Sequence, residues 1–158
     1  PTLSASPISP PSTSASPTPP VMPSAAQAQT RAGAEAFVRF YVSAIDYAER
    51  TLDTSQLKTI SAPSCVGCHG GIKGIDRIAQ LGGHVEGVAQ SATSATTTAF
   101  DMVHRTAAVS FAIDIATERV VVPGQKAVIH PAGRTLMLGI LIARPGGSWQ
   151  MADLRTRP

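Results

Sequence analysis

The sequence predicts an α+β fold in which three N-terminal helices pack on a curved, mostly antiparallel sheet. Two observations carry this prediction. Up to residue 81, apolar side chains recur at three- and four-residue steps, as they do on one face of a helix. From residue 84 onward they alternate at two-residue steps, as they do on one face of a strand. A run of helices followed by a run of strands is typical of α+β domains.

The first predicted helix covers residues 28–51 and is amphipathic. Polar residues such as Arg39, Ser43, Asp46 and Glu49 lie mostly between its apolar positions. The apolar stripe holds four of the seven aromatic residues in the chain, so it predicts the buried face of the helix. Its members are Phe37, Phe40, Tyr41, Ala44, Tyr47, Ala48 and Leu52.

Two shorter helices are predicted at residues 54–61 and 65–81. The first begins with a capping-box-like pair, because Gln56 follows Asp53 by three residues, and it stops before Pro63. Ser64 can cap the second helix, which has an apolar side. Three glycines weaken this helix: Gly70, Gly71 and Gly74.

Six segments of the second half predict the sheet. The clearest alternation covers residues 103–115, and a weaker strand precedes it at 84–99. Shorter strands are expected at 119–122 and 126–130, and a last one at 149–155. The segment TLMLGILIA, residues 135–143, is apolar throughout and therefore predicts a central strand covered on both faces.

Residues 1–27 are predicted to be a disordered linker, and residues 28–158 a single folded domain. Eight of the 13 prolines fall within residues 1–23, among Ser, Thr and Ala and without charged or aromatic side chains. Such a segment buries too little apolar surface to offset its loss of conformational entropy.

A Pro/Ser/Thr-rich leader is typical after the lipid-modified cysteine of bacterial lipoproteins. We therefore expect a lipid anchor upstream of this chain and a place on the outer face of the cell membrane.

The charge pattern gives no sign of a nucleic-acid partner. The net charge is only +3, and the arginines are scattered without a basic run or an aromatic-plus-basic stripe. No run of about 18 apolar residues is present, so contact with a membrane is expected only through the upstream anchor. The expected partner is instead a small apolar ligand or an envelope protein.

Both cysteines lie in the segment SAPSCVGCHGGI, residues 61–72, and His69 follows the second directly. Cys65-x-x-Cys68-His69 is the pattern to which haem is attached in c-type cytochromes. The same spacing allows a disulfide, a redox-active thiol pair or, with a fourth ligand, a zinc site. Haem also needs an apolar pocket and usually a second axial ligand. Met102 and Met137 have suitable spacing, but such residues are ordinarily part of the core.

Three features together resemble a known family. They are the long helix AGAEAFVRFYVSAIDYAERTLDTSQL, the S-x-P-S-C-x-x-C element at 61–68, and the terminal strand Gly-Ser-Trp-x-Met-x-Asp-Leu at 147–154. This combination resembles an uncharacterised family of lipoproteins from high-GC Gram-positive (actinobacterial) bacteria. The resemblance covers about residues 30–156. It implies the nuclear-transport-factor-2-like cone fold, which is shared with ketosteroid isomerase.

The resemblance also bears on the cysteine motif, because that family has the C-x-x-C without needing the histidine. It therefore favours a structural disulfide, Cys65–Cys68, with His69 on the surface of the first helical turn. A thioredoxin-like redox site is disfavoured, because a helix rather than a strand is predicted before the motif. No metal or other cofactor is then expected, and haem c remains the alternative.

Three functions follow from these observations. The preferred one is a non-catalytic binding module whose cone buries an apolar pocket, with Phe37, Tyr41, Tyr47 and Trp149 as candidate wall residues. The first alternative is a pocket enzyme of ketosteroid-isomerase type, which a buried and strongly perturbed carboxylate would favour. The second alternative is an electron carrier with haem on Cys65, Cys68 and His69. No catalytic residue is assigned from the sequence.

Overall fold

The chain forms three helices followed by seven strands in the part that the structure describes, residues 16–157 of a computed structural model. A 3-10 turn at Ser24–Gln27 precedes α1 (Arg31–Thr51), α2 (Ser55–Ile60) and α3 (Val66–Gln80). The strands are β1 (His84–Glu86), β2 (Gln90–Asp101), β3 (Thr106–Ile115), β4 (Glu118–Val121), β5 (Val128–His130), β6 (Gly133–Ala143) and β7 (Trp149–Thr156). The predicted α+β class and the three helices are confirmed. None of the described helices combines the length and apolarity needed to cross a membrane.

The strands form two antiparallel sheets, and neither closes into a barrel. The larger sheet has the order β2-β3-β6-β7, and the smaller one has the order β1-β4-β5. Register shifts interrupt the ladder between β2 and β3 at Thr93/Thr96 and at Thr97/Ala99. Such irregularities bend a strand and increase its twist, which is how a sheet comes to curve around a helix.

The strand predicted at residues 84–99 is two strands that belong to different sheets. β1 pairs with β4, whereas β2 pairs with β3. Gly87 lies between them with φ of +78°, a conformation that permits the chain to change direction. A Cβ atom on Gly87 would also lie 2.5 Å from the carbonyl oxygen of Thr117. The apparent single strand is therefore broken by a glycine whose role only the tertiary fold reveals.

The prediction that β6 is covered on both faces is wrong. β6 does lie inside the larger sheet, between β3 and β7. Its inward residue Leu141 is fully buried, but on the other face Leu136 keeps 54% of its surface exposed. The helices cover one face of this antiparallel sheet, and the other face meets solvent.

The core lies between α1 and the inner face of the larger sheet. Phe37 and Tyr41 from the apolar stripe of α1 are buried with Trp149, Leu141 and Met151 from the last two strands. The indole of Trp149 donates a hydrogen bond to the carbonyl oxygen of Ala28, at 2.8 Å. The last strand is thereby attached to the chain just before α1.

Two carboxylates of α1 hold the helix against the edge of the larger sheet. The backbone N–H groups of Gln90 and Thr97 on β2 donate to Asp46 and Glu35 respectively, each at 2.8 Å. β2 is an edge strand, so these N–H groups point away from the sheet ladder. Covering such donors satisfies the backbone and closes an edge to other strands.

The folded part begins earlier than the predicted boundary at residue 28. Ala26 is fully buried, and Met22 packs against the core. The carbonyl oxygen of Pro20 accepts a hydrogen bond from the Gln56 side chain at 2.9 Å. Residues 20–27 therefore belong to the domain. Their small side chains and prolines allow the segment to lie flat on a helical surface. The disorder predicted for residues 1–15 lies outside the described residues.

Two glycines of α3 give a matched pair of substitutions. A Cβ atom at Gly67 would lie 2.1 Å from the backbone oxygen of Leu154. A Cβ atom at Gly70 would have no neighbouring atom within 4 Å. We expect Gly67→Ala to destabilise the fold by about 2 kcal/mol, because α3 must move away from β7. We expect Gly70→Ala to stabilise it by up to about 1 kcal/mol through helix propensity. Urea unfolding of both variants measures these changes, and equal stabilisation by both would contradict the packing of α3 on β7.

Candidate functional site

The two cysteines form a disulfide at the start of α3. Cys65 and Cys68 are bonded, with their Cα atoms 5.3 Å apart, and both side chains are buried. Cys65 is the N-terminal capping residue of α3, and its sulfur accepts a hydrogen bond from the N–H of Cys68. The backbone of Ala62 just before it donates to Met151 of β7 at 2.7 Å. The bridge thus holds the first turn of α3 close to the last strand.

The residues of this motif do not fit covalent haem. Both sulfurs that would form thioethers are bonded to each other. The Nε2 atom of His69, the expected axial ligand, lies 3.1 Å from the carbonyl oxygen of Ala62 and is paired with it. His69 is half-buried rather than fully on the surface. Within residues 16–157, no group of three or more His, Cys, Asp or Glu side chains is arranged to hold a metal ion.

The four aromatic residues predicted as pocket wall do not meet around one cavity. Phe37 and Trp149 are core residues with at most 1% of their surface exposed. Tyr41 donates to or accepts from the Ser61 hydroxyl at 2.7 Å and lines a small cavity of about 80 Å³. Burial raises the pKa of Tyr41 to about 12, while the Ser61 hydrogen bond lowers it. Tyr47 is half-buried. None of the four lines the largest pocket of the described chain.

The largest pocket, here called the α3 pocket, lies where α3 faces the smaller sheet. Its volume is about 440 Å³. Five aliphatic side chains form most of its wall, and two glutamates, a glutamine and a histidine supply its polar groups. The lining residues are Glu49, Gly71, Gly74, Ile75, Ile78, Val85, Gln90, Ile115, Glu118, Val120, His130 and Pro131.

Two of the glycines that weaken α3 create the space for this pocket. Gly71 and Gly74 line it, and a Cβ atom at either position would meet nothing within 4 Å. On the same helix, Ile75 is buried and contributes to the apolar wall. A helix with ordinary side chains at 71 and 74 would project them into the pocket. The two glycines therefore lower the intrinsic stability of the helix but leave the cavity open.

Gln90 brings the buried carboxyl group of Glu118 and the half-buried one of Glu49 together in the α3 pocket. Its side-chain Nε2 donates to Oε2 of Glu49 on α1 and, at 3.1 Å, to Oε1 of Glu118 on β4. Its backbone N–H donates to Asp46, one turn before Glu49. Glu118 has only 8% of its surface exposed, and His130 lies opposite it in the register of β4 and β5. Residues from three elements, α1, β2 and β4, therefore meet around one amide.

This environment makes Glu49 a weak acid. Burial is the largest cause that raises the pKa of Glu49 from its ordinary 4.5 to about 7, and charge repulsion from Glu118 and then from Asp46 acts in the same direction. The protonated form of Glu49 can also donate a hydrogen bond to Glu118, whereas donation from Gln90 lowers the pKa. Two adjacent carboxyl groups cannot both ionise easily, so the pair holds a proton near neutral pH.

Sequence reasoning missed most of this site. In the sequence, Glu49 and Asp46 are only polar positions beside the apolar stripe, and Gln90 and Glu118 carry no pattern. The structure places Asp46 at the edge of the site, where it accepts from the backbone of Gln90. The one available signal was the glycine content of α3, because glycines on the apolar side of a helix often mark a close approach or an open space.

The Glu49 proton predicts a specific dependence of stability on pH. The folded protein holds this proton up to about pH 7, whereas the unfolded chain releases it near 4.5. The free energy of unfolding should therefore fall as pH rises between these values, by about 2 to 3 kcal/mol. Glu49→Gln should remove this fall. Urea unfolding at several pH values measures it, with the exposed Glu86→Gln as a control that keeps the fall. A wild-type profile that rises over this range and is unchanged by Glu49→Gln would contradict the assignment.

The disulfide predicts the intact mass of the native protein and a loss of stability when the bridge is removed. Protein purified from its own host should be lighter than the reduced form by two hydrogen atoms, and no haem mass should be present. The double variant Cys65→Ala/Cys68→Ala should lose about 2 kcal/mol in urea unfolding, because the bridged loop is short. Reductant should destabilise the wild type and leave the double variant unchanged. A haem adduct that survives reductant would overturn the disulfide.

Comparisons with known proteins identify a family and a similar fold. No curated protein matches the sequence. The intermembrane space region of the chloroplast protein ARC6 has a similar structure, with a TM-score of 0.62 and 10% identity over 80% of this chain and 95% of that chain. Aln2 from a Streptomyces species gives a TM-score of 0.47 and 12% identity over 78% and 90% of the two chains. Such low identity concerns the fold alone. Residues 11–153 match the family of unknown function DUF6318, and the chain belongs to that family.

Proposed function

We propose that this chain is a small-molecule-binding module that works outside the cytoplasm and binds its ligand in the α3 pocket. The observation that carries the proposal is the pocket itself. A cavity of about 440 Å³ with a mostly aliphatic wall and a few convergent polar groups has the size and chemistry of ligand sites in proteins. The pocket beside the exposed outer face of β6 is smaller, at about 310 Å³, and two arginines and two serines are among its lining residues.

The proposed location is supported by the cysteine chemistry and by the leader sequence. A disulfide between Cys65 and Cys68 persists in oxidising compartments and is rare in the cytoplasm. The Pro/Ser/Thr-rich N-terminal sequence and the resemblance to lipoproteins of high-GC Gram-positive bacteria support a lipid anchor upstream of this chain. The mass of the protein from its own host, described above, tests the oxidised state on which this proposal depends.

We also propose that the fold is a cone of the nuclear-transport-factor-2-like type. The support is the order of elements, with three helices before the sheet and the longest helix along its inner face. The pocket lies at the end of α1, where Glu49 enters it, rather than at the middle of the helix.

A second candidate is a pocket enzyme that uses Glu49 as general acid and base. A half-buried carboxyl group with a pKa of about 7 carries a proton at the pH where such catalysis works best. The arrangement differs from that of ketosteroid isomerase, because no tyrosine lines the α3 pocket within the described chain. Deuterium exchange at the α-carbon of a cyclic ketone, present in the wild type and lost in Glu49→Gln, would support this candidate. Ligand binding without exchange would rule against it.

Filling the pocket should block binding. A leucine at Gly74 would project beside Ile75 and Ile78, whereas Gly70, on the same helix, does not line the pocket. We expect Gly74→Leu to weaken binding of the neutral fluorophore N-phenyl-1-naphthylamine by about tenfold or more. Gly70→Leu is the matched control and should bind like the wild type. A fluorescence titration measures both, and equal binding by all three proteins would place the ligand elsewhere and reject the proposal.

A further inference from the structure

The charges around the α3 pocket are of one sign. Glu49 and Glu118 both line it, and Asp46 lies next to Glu49. No lysine or arginine is among the lining residues of the described chain, and His130 is the single basic group there. The two nearest arginines in sequence are engaged elsewhere, because Arg50 pairs with Asp46 at 2.7 Å and Arg119 pairs with Glu86 at 2.9 Å.

The carboxyl groups also keep acceptor capacity that the protein does not use. Glu118 is more than nine-tenths buried, Gln90 donates to its Oε1, and Glu49 can donate to it when Glu49 is protonated. Its other oxygen, Oε2, accepts from no N–H group within the described part of the chain and remains accessible from the pocket. A carboxylate has room for about four acceptor interactions, and a buried one is stable only when its charge is compensated. The free oxygen lies in a pocket with an aliphatic wall.

We propose that the ligand of the α3 pocket is a cationic amphiphile, with an ammonium group between Glu49 and Glu118 and an apolar body against the aliphatic wall. This inference rests on the proposed function and names the ligand class of the same site. An ammonium group has three donors and no acceptor, so it complements the free carboxylate oxygens. The apolar body would contact Ile75, Ile78 and Val120. An anionic head group would meet two acids and no lysine or arginine.

Binding of such a cation is coupled to release of a proton. Below about pH 7 the carboxyl pair holds a proton, which the ammonium charge displaces from Glu49 to the buffer. The titratable and charged groups around Glu49 are Asp46 with its partner Arg50 and Tyr41 on its own helix, Glu118 on β4, and His130 on β5, which lines the same pocket. α3 contributes only glycine and isoleucine to the pocket. Affinity for the cation should therefore rise with pH up to about 7, because the competing proton leaves.

Three probes with the same chain and different head charges test the inference: octylammonium, octanol and octanoate. By calorimetry at about pH 8, wild-type protein should bind octylammonium about tenfold or more tightly than octanol, and octanoate most weakly. At about pH 6, octylammonium binding should release a proton, seen as a heat that depends on the ionisation enthalpy of the buffer. Octanol binding should show no such dependence.

Variants distinguish the contribution of the two carboxylate charges to binding from the contribution of the cavity. Glu49→Gln and Glu118→Gln should bring the octylammonium-to-octanol ratio close to one while octanol binding persists, and Glu86→Gln, an exposed acid outside the pocket, should keep the wild-type ratio. Octanol binding also shows that each variant is folded. The cation proposal fails if all three probes bind equally or if octanoate binds best. If Gly74→Leu still blocks binding in that case, the α3 pocket remains the binding site. If Gly74→Leu blocks none of them, or none binds, the proposed function fails as well.

Discussion

The carboxylates of α1 that bind the backbone of β2 fix the geometry on which the rest of the domain depends. Glu35 and Asp46 lie about three helical turns apart and accept from two residues of the edge strand β2, Thr97 in its second half and Gln90 at its start. Hydrogen bonds to charged groups contribute about 1.5 to 3 kcal/mol each. Two such bonds set both the position and the angle of the helix. They also determine that Glu49, one turn after Asp46, comes to lie against the Gln90 side chain.

The carboxyl pair that results opposes folding at neutral pH. Ionising Glu49 beside Glu118 in a buried setting is unfavourable, as the raised pKa of Glu49 records. The apolar core between α1 and the larger sheet can offset this cost, because it buries Phe37, Tyr41 and Trp149 almost completely. Groups that oppose folding yet are kept by the surrounding packing occur preferentially at functional sites. A cationic ligand would relieve the same repulsion.

The disulfide and the glycines of α3 together determine how this helix packs on its neighbours. Cys65–Cys68 holds the first turn of α3, and Gly67 lets that turn approach the backbone of Leu154 on β7. Further along the helix, Gly71 and Gly74 leave space on the side that faces the smaller sheet. One end of α3 is thus tightly packed and the other is open. This asymmetry gives the pocket a rigid wall, and a rigid wall loses less entropy when a ligand binds.

Local periodicity in the sequence predicted the three helices, their apolar faces and the strands β3, β6 and β7 of the larger sheet, whereas the disulfide between the two cysteines was favoured only by the family resemblance. The sequence could not determine that residues 84–99 divide at Gly87, that the outer face of β6 meets solvent, or that residues 20–27 pack on the domain. Those features depend on contacts between distant segments. The α3 pocket is the clearest case, because Glu49, Gln90 and Glu118 lie 41 and 28 residues apart and carry no shared pattern. Only the docking of α1 on the edge of the sheet brings their side chains to one place.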